Sequence, residues 1–189
     1  LKDYKGNIMN QTHLTSLLSW SRNDIEHVLQ LAHKMKNNPE DFRQALAGKT
    51  LGMIFEKKST RTRVSFEVGI FQLGGIGLFL SSNDMQLGRG ETIADTARVL
   101  SRYLDLVMAR VYGQDTIDEL AKWSSIPVIN GLSDEYHPCQ ALTDFFTMQE
   151  VFGTDLWIPF CHNVPQIVSQ YHLYPRIQVY NVPSFQEFF

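Results

Sequence analysis

The chain has 189 residues, 43% hydrophobic and 20% charged, with a formal net charge of −3 and only two cysteines, Cys139 and Cys161. That suits one globular domain with a sizeable core, with or without an appendage. The mildly acidic balance argues against general nucleic-acid binding, the cysteines lack metal-type or disulfide spacing and fit a reducing compartment, and no apolar run is long enough to cross a bilayer.

The opening residues, 1 to 15, are polar and read as an arm or loop; they begin at Leu1, as a processed, trimmed or partial sequence would, and show no uninterrupted signal region. Ser21 followed by Asp24 is an acidic form of the capping box, and Ile25, Val28, Leu29 and Ala32 recur at helical spacing, which predicts a helix over 22–36 stopped by Asn37-Asn38-Pro39. A short helical piece over 39–46 precedes Gly48, and the apolar run 50–55 predicts a buried strand. Ser59 is placed to cap a helix whose apolar positions are Val64, Val68 and Phe71, ended by Gly74-Gly75. Further strands are predicted at 76–80, 106–111 and 126–130. Further helices are predicted at 91–103, with Ile93, Ala97 and Leu100 apolar, at 115–123, and from Pro138 to about 151. This alternation implies an α/β fold with a mostly parallel sheet flanked by helices. Residues 1–153 make the predicted domain. From 154 to 189 prolines and aromatics accumulate while charge falls away, a pattern that fits a partial second domain, a non-native read-through or an aggregation-prone appendage.

One stretch is electrostatically out of place. "FEKKSTRTR", residues 55–63, sets Lys57, Lys58, Arg61 and Arg63 at a helix start, where the macrodipole and unpaired N–H groups favour anions. In a parallel α/β sheet, ligands bind where the loops beyond the carboxyl ends of the strands gather. There Ser59, Thr60, Arg61, Thr62 and Arg63 are suited to cradle a phosphate with hydroxyls, guanidinium groups and backbone N–H. Arg110 is the only charge in the strand "LVMARV", and a charge in such a position has to be paired or in use. His137 ends another strand-to-helix loop, and Gln140 lies in the first turn after it. Together these groups can polarise a carbonyl and orient an amide.

Each piece also has a plainer reading. "STRTR" alone is often an exposed basic helix start, Arg110 alone often a structural ion pair, here with Asp105 or Asp134, and Gln86 in "SSNDMQLGRGE" a solvated loop residue. The joint occurrence of the sets at equivalent strand ends favours function. His13, His27 and His33 read as surface residues without metal-ligand geometry. Cys139 reads as a small packing residue, with no orienting acid to support a Cys/His nucleophile pair with His137.

The motifs "FEKKSTRTR", "LGRGETIADTARVLSRYLDLVMARVY" and "INGLSDEYHPCQAL", in order over about 100 residues, resemble the carbamoyl-phosphate half of the aspartate and ornithine carbamoyltransferases. Glu56-Lys57-Lys58, where aspartate enzymes carry a Glu-Pro pair, is similar to the ornithine branch. The resemblance implies that Ser59, Thr60, Arg61 and Thr62 bind phosphate, that Arg110 contacts phosphate and carbamoyl oxygen, and that His137 and Gln140 hydrogen-bond the carbamoyl oxygen and NH2. It implies a homotrimer in which Gln86 acts in a neighbouring site. The implied reaction is attack of the ornithine δ-amine on the carbamoyl carbon, with citrulline and phosphate as products, no metal or organic cofactor, and a role in arginine biosynthesis or the urea cycle. A cytoplasmic setting follows, or the mitochondrial matrix for a mature eukaryotic chain. The family's second α/β domain supplies a "GDGNN"-like turn, an "SMG" loop and an "HCLP" segment for ornithine; none occurs after residue 153, and "CHNVPQ" at 161–166 matches none of them. The alternatives are a non-catalytic module that binds carbamoyl phosphate or phosphate, or a carbamoyltransferase for another amine such as aspartate or putrescine.

Overall fold

The computed structural model describes residues 11–81 and 90–153. Helix α1 spans Arg22–Asn37 and begins with the expected capping box: Ser21 accepts from the Asp24 N–H while the Asp24 carboxylate accepts from Ser21. Pro39–Phe42 is a single 3₁₀ turn followed by further turns, shorter than the helical piece expected over 39–46. Strand β1, Thr50–Phe55, leads to α2, Arg61–Gln72, and then to β2, Ile76–Ser81. Helix α3, Ile93–Tyr103, starts at Thr92, whose hydroxyl accepts from the Asp95 N–H. Strand β3, Leu106–Arg110, helix α4, Gln114–Trp123, strand β4, Val128–Leu132, and helix α5, Pro138–Phe152, complete the order.

All strand pairs are parallel, in the order β2-β1-β3-β4. Strand alternation splits the core between two faces. Ile54, Val107, Ala109 and Val128 pack with Ala97, Ile117 and Leu120 of α3 and α4. Leu51, Met53, Phe55 and Met108 pack with Ile70 of α2. A third cluster joins Ile25 and Leu29 of α1 to Ala141, Leu142, Phe145 and Phe146 of α5. With helices covering both faces, the expected α/β class holds.

Four readings are corrected. Strand β4 starts two residues later than expected, because Pro127 has no N–H to give a ladder and contributes only its carbonyl, to Val107 N at 2.9 Å. The segment from residue 11 is not a free arm: Leu14 forms a parallel bridge to Ile129, donating to Val128 O and accepting from Asn130 N, each at 2.8 Å. Thr60, with α-region backbone and no capping bond from its side chain, stands at the N-cap of α2 in place of Ser59. Finally, Val64, Val68 and Phe71 face outward, Phe71 being 75% exposed, while Phe66 and Ile70 pack onto the sheet. Helix α2 is thus apolar on two sides, and periodicity locates an apolar stripe without saying what covers it.

The end of α2 depends on Gly74, whose φ of +86° is left-handed; a Cβ there would lie 2.7 Å from Arg43 O. Gly74→Ala is expected to cost about 2 kcal/mol in urea denaturation, from left-handed strain and the backbone clash together. A loss below about 0.5 kcal/mol, the range of an ordinary surface substitution, would contradict this account of the turn.

Candidate active site

The topology itself selects one place. From β1 the chain turns through α2 to β2 on one side, whereas from β3 it turns through α4 to β4 on the other, so the crevice between β1 and β3 is a switch point. The register puts Phe55 opposite Arg110 and Arg110 opposite Leu132, so three carboxyl strand ends meet there.

Helix α2 points its N-terminus into this crevice. Its first intrahelical bond runs from Val64 N to Thr60 O, leaving the N–H groups of Arg61, Thr62 and Arg63 ahead of it. Unlike α1 and α3, it has neither a side-chain cap nor an acidic residue in its first turn. Its uncapped start is therefore suited to an anion from outside the chain.

The cations of residues 57–63 separate into two kinds. Lys57 forms an ion pair with Asp134 and lies 4.7 Å from the Tyr112 ring centroid. Arg63 pairs with Glu67 at 3.1 Å and sits over Phe79 at 3.9 Å. Lys58 and Arg61 have no carboxylate partner among the described residues. Arg61 is the one that acts on the site: its charge, after burial, helps hold the Arg110 guanidinium below the usual arginine range.

Arg110 is half-buried at the end of β3 and donates to Thr62 Oγ1 at 3.1 Å, joining β3 to the first turn of α2. The structural ion pair considered from the sequence is not formed: Asp105 is taken by Lys49 at 2.7 Å and Asp134 by Lys57. Arg110 Nε is buried with no hydrogen-bond partner among the described residues. A desolvated guanidinium beside a second cation and without a carboxylate is costly for the fold and fitted to an anion.

His137 lies just ahead of α5 with Nδ1 buried and no partner among the described residues. Burial first, and then the Arg110 charge, lower its pKa to about 4, with Asp144 acting in the opposite direction. At neutral pH the ring is uncharged and carries one N–H to give. Gln140, exposed in the first turn of α5, donates to Asp144 Oδ1 at 2.8 Å, which leaves one amide proton and its oxygen for a ligand amide. Thr62, Arg61, Arg110 and His137 are thus brought together, by a bond between the first and third and by charge among the last three. Ser59 and Thr60 sit on the loop entering α2. Gln86 lies outside the described residues.

The Cys139 thiol donates to Asn130 O at 3.5 Å, and burial pushes its pKa up to about 12. Such a thiol is no nucleophile at neutral pH. Nor are His13 and His33 simply surface residues: His13 Nδ1 accepts from Val128 N at 3.2 Å, and His33 lies 3.2 Å from Gln149 Oε1 and 4.3 Å from the Phe146 ring. Among the described residues no cluster of three or more His, Cys, Asp or Glu is placed to hold a metal, and no helix is long and apolar enough to cross a membrane.

Sequence reasoning missed the groups that tie the strand-end loops together. Glu56 Oε2 accepts from Tyr112 N at 2.9 Å, Asp134 N donates to Tyr112 O at 2.9 Å, and the Lys57–Asp134 pair closes the ring of loops. A separate apolar cavity of about 840 Å³, lined in part by Leu29, Met35, Phe42, Phe71 and Phe146, includes none of the expected site residues.

These features agree with what the chain is similar to. A family model described as the carbamoyl-P binding domain of aspartate/ornithine carbamoyltransferase matches residues 12–150. The ornithine carbamoyltransferase of Oceanobacillus iheyensis is 59% identical over 140 residues, 73% of this chain and 44% of that protein. The solved ornithine carbamoyltransferase of Pyrococcus furiosus has a TM-score of 0.73 at 53% identity, over 75% of this chain and 46% of that one. An N-acetyl-L-ornithine transcarbamylase variant, solved with carbamyl phosphate and N-succinyl-L-norvaline, has a TM-score of 0.68 at 34% identity, over 76% of this chain and 49% of that one. The chain therefore spans about half the length of the relatives it matches. By this match and by its fold, the chain belongs to the aspartate/ornithine carbamoyltransferase family, through that family's carbamoyl-phosphate-binding domain.

Proposed function

We propose that the crevice between β1 and β3 binds carbamoyl phosphate and presents its carbonyl carbon to the δ-amine of ornithine. The observation that carries this reading is Arg110, a guanidinium desolvated by burial and without a carboxylate partner among the described residues, bonded to Thr62, beside Arg61 and next to a neutral His137. In this assignment the phosphate dianion lies at the start of α2 against Ser59, Thr60, Arg61 and Thr62. Arg110 spans phosphate and carbamoyl oxygen, His137 donates to that oxygen, and Gln140 holds the NH2. Attack by the neutral amine moves charge onto the oxygen and then onto the departing phosphate. Both positions have fixed donors, so positioning and electrostatic stabilisation suffice as catalytic devices.

Ornithine as acceptor rests on the names of the relatives and on Glu56-Lys57-Lys58. Residues that hold the amino acid belong, by the same likeness, to a second domain, which the match over 12–150 does not reach. The division at residue 153 is proposed on that basis. A homotrimer fits the outward apolar face of α2 and the edge strand β2, where Ile76 is 61% exposed. In such an assembly Gln86, on the segment after β2, would serve a neighbouring site. The low cysteine count suits a reducing setting such as the cytoplasm or the mitochondrial matrix.

A second reading is a module that binds carbamoyl phosphate without turning it over; the family model that matches describes a carbamoyl-P binding domain. Product analysis with carbamoyl phosphate and, separately, ornithine, aspartate and putrescine decides between them. Citrulline from ornithine alone supports the transferase. Binding without product supports the module, and a different carbamoylated amine reassigns the acceptor. Neither binding nor product removes both readings.

A further inference from the structure

Among the described residues the apolar interior holds a polar knot. Asn130, in β4, has 0% exposure, and Gln114 and Ser133 are also buried. Asn130 Nδ2 donates to Thr15 O at 2.9 Å and Gln114 Oε1 at 3.1 Å, and lies 3.4 Å from both Ser133 Oγ and Tyr136 O. Ser133 Oγ donates to Gln114 Oε1 at 2.7 Å and accepts from Tyr136 N at 3.0 Å. Ser133 N closes the turn by donating to Tyr136 O at 2.9 Å. Four acceptors around Nδ2 fix which way the amide points, since a flip would turn its oxygen toward them.

At the loop end the knot holds Tyr136, the residue before His137, through Ser133 and Asn130. Both its N–H and its carbonyl are held, so the peptide that sets the start of the His137 backbone has little freedom. Outside the loop the Lys57–Asp134 pair also restrains it, but Asp134 is 66% exposed there, and an exposed pair of this kind is weak. The buried knot is the stronger restraint, because its groups have no water to turn to when a bond is broken. It also connects His137 to the segment before α1, through Thr15, and to the start of α4, through Gln114.

We infer that Asn130, Ser133 and Gln114 are positioning residues for the site: by clamping the Tyr136 peptide they set where the His137 ring meets the carbamoyl group. The inference rests on the proposed carbamoyl phosphate site for the identity of the group that His137 meets. The three side chains are buried and touch no ligand themselves, so their effect runs through His137 and spares the phosphate contacts at α2.

The test uses the full 189-residue chain and two variants away from the anion site, Ser133→Ala and Gln114→Met. Ligand-free NMR of the His137 ring nitrogens, assigned with His137→Gln, reports ring placement directly. Binding of carbamoyl phosphate and of inorganic phosphate reports the consequence. The expected result is that Ser133→Ala moves the His137 signals and shifts their titration toward that of an ordinary histidine. It should weaken carbamoyl phosphate by about 10-fold and inorganic phosphate by less than about 2-fold, the loss of one directed hydrogen bond to one ligand only. In a His137→Ala background the same change should add less than about 2-fold, because the two residues then share one interaction. Unchanged His137 signals, equal weakening of both anions, or full additivity would each overturn the inference. If Ser133→Ala does not fold, Gln114→Met, which removes the shared acceptor, is read against the same outcomes. Shifted His137 signals in a protein that binds inorganic phosphate but not carbamoyl phosphate would uphold the positioning role and reject the carbamoyl assignment instead.

Discussion

Replacing Arg110 by alanine is expected to weaken carbamoyl phosphate binding by about 100-fold or more, the usual consequence of removing one partner of a desolvated charge-assisted contact. The same substitution should leave the unliganded chain as stable as before, or more so. Its guanidinium is held below the usual arginine range by burial and then by Arg61, so the fold is working against this charge. Its one side-chain bond among the described residues, to Thr62 Oγ1 at 3.1 Å, returns little of that cost. A site that sacrifices stability for ligand has this signature, whereas a structural arginine has the reverse. Urea denaturation and calorimetry on the same variant separate the two. A large loss of stability with unchanged affinity would make Arg110 a structural residue and dissolve the site.

The second large effect is on pH. Burial, and then Arg110, lower the His137 pKa to about 4, below the ordinary histidine value of 6.5. Between those values the folded protein binds fewer protons than the unfolded chain, so stability rises with pH across the window and is lost as pH falls. The His137 contribution amounts to about 3 kcal/mol between neutral pH and pH 4, as an upper figure. Denaturation curves from pH 7 down to about 4 should therefore show a steeper loss in the wild type than in His137→Gln, which cannot acquire the charge. Parallel losses would show that His137 is not held neutral by its surroundings. In the proposed site, a ring so held would meet the carbamoyl oxygen as a neutral imidazole across the physiological range.

How much of this was legible beforehand depends on how local the cause is. The cap at Ser21, the apolar spacing of α3 and the apolar run of β1 are local, and α1, α3 and β1 fall close to where capping and periodicity place them; the Thr92 cap of α3 is seen only in the structure. The apolar stripe of Val64, Val68 and Phe71 was legible as a stripe, but its outward direction follows from Phe66 and Ile70 having already taken the sheet. Leu14 joining β4 pairs residues more than 100 apart, which no window of sequence can show. The partner exchange at the site is of the same kind. Asp105 and Asp134 were reasonable partners for Arg110 in sequence, yet lysines reach them first, and only the fold reveals that Arg110 donates to Thr62 instead.

The candidate site residues stood out in the sequence for a different reason. Cations at a helix start, an arginine in an apolar strand and a histidine before Pro138 each break a local rule, and such conflicts collect at functional positions. Asn130 broke one too, as an amide ending an apolar run, and the buried knot around it was the signal left unread. The loops that carry these residues converge because parallel strands put all their carboxyl ends on one side. Topology thus brings rule-breaking residues scattered over about 75 positions, from Arg61 to His137, to one strand end.

The most direct test is a crystal structure of the full chain with phosphonoacetamide, the non-hydrolysable methylene analogue of carbamoyl phosphate. The predicted result places the phosphonate at the start of α2 against Arg61 and Thr62, with Arg110 bridging it to the amide oxygen and His137 donating to that oxygen. A phosphonate found instead on Lys57 and Lys58, with Arg110 untouched, would contradict the account.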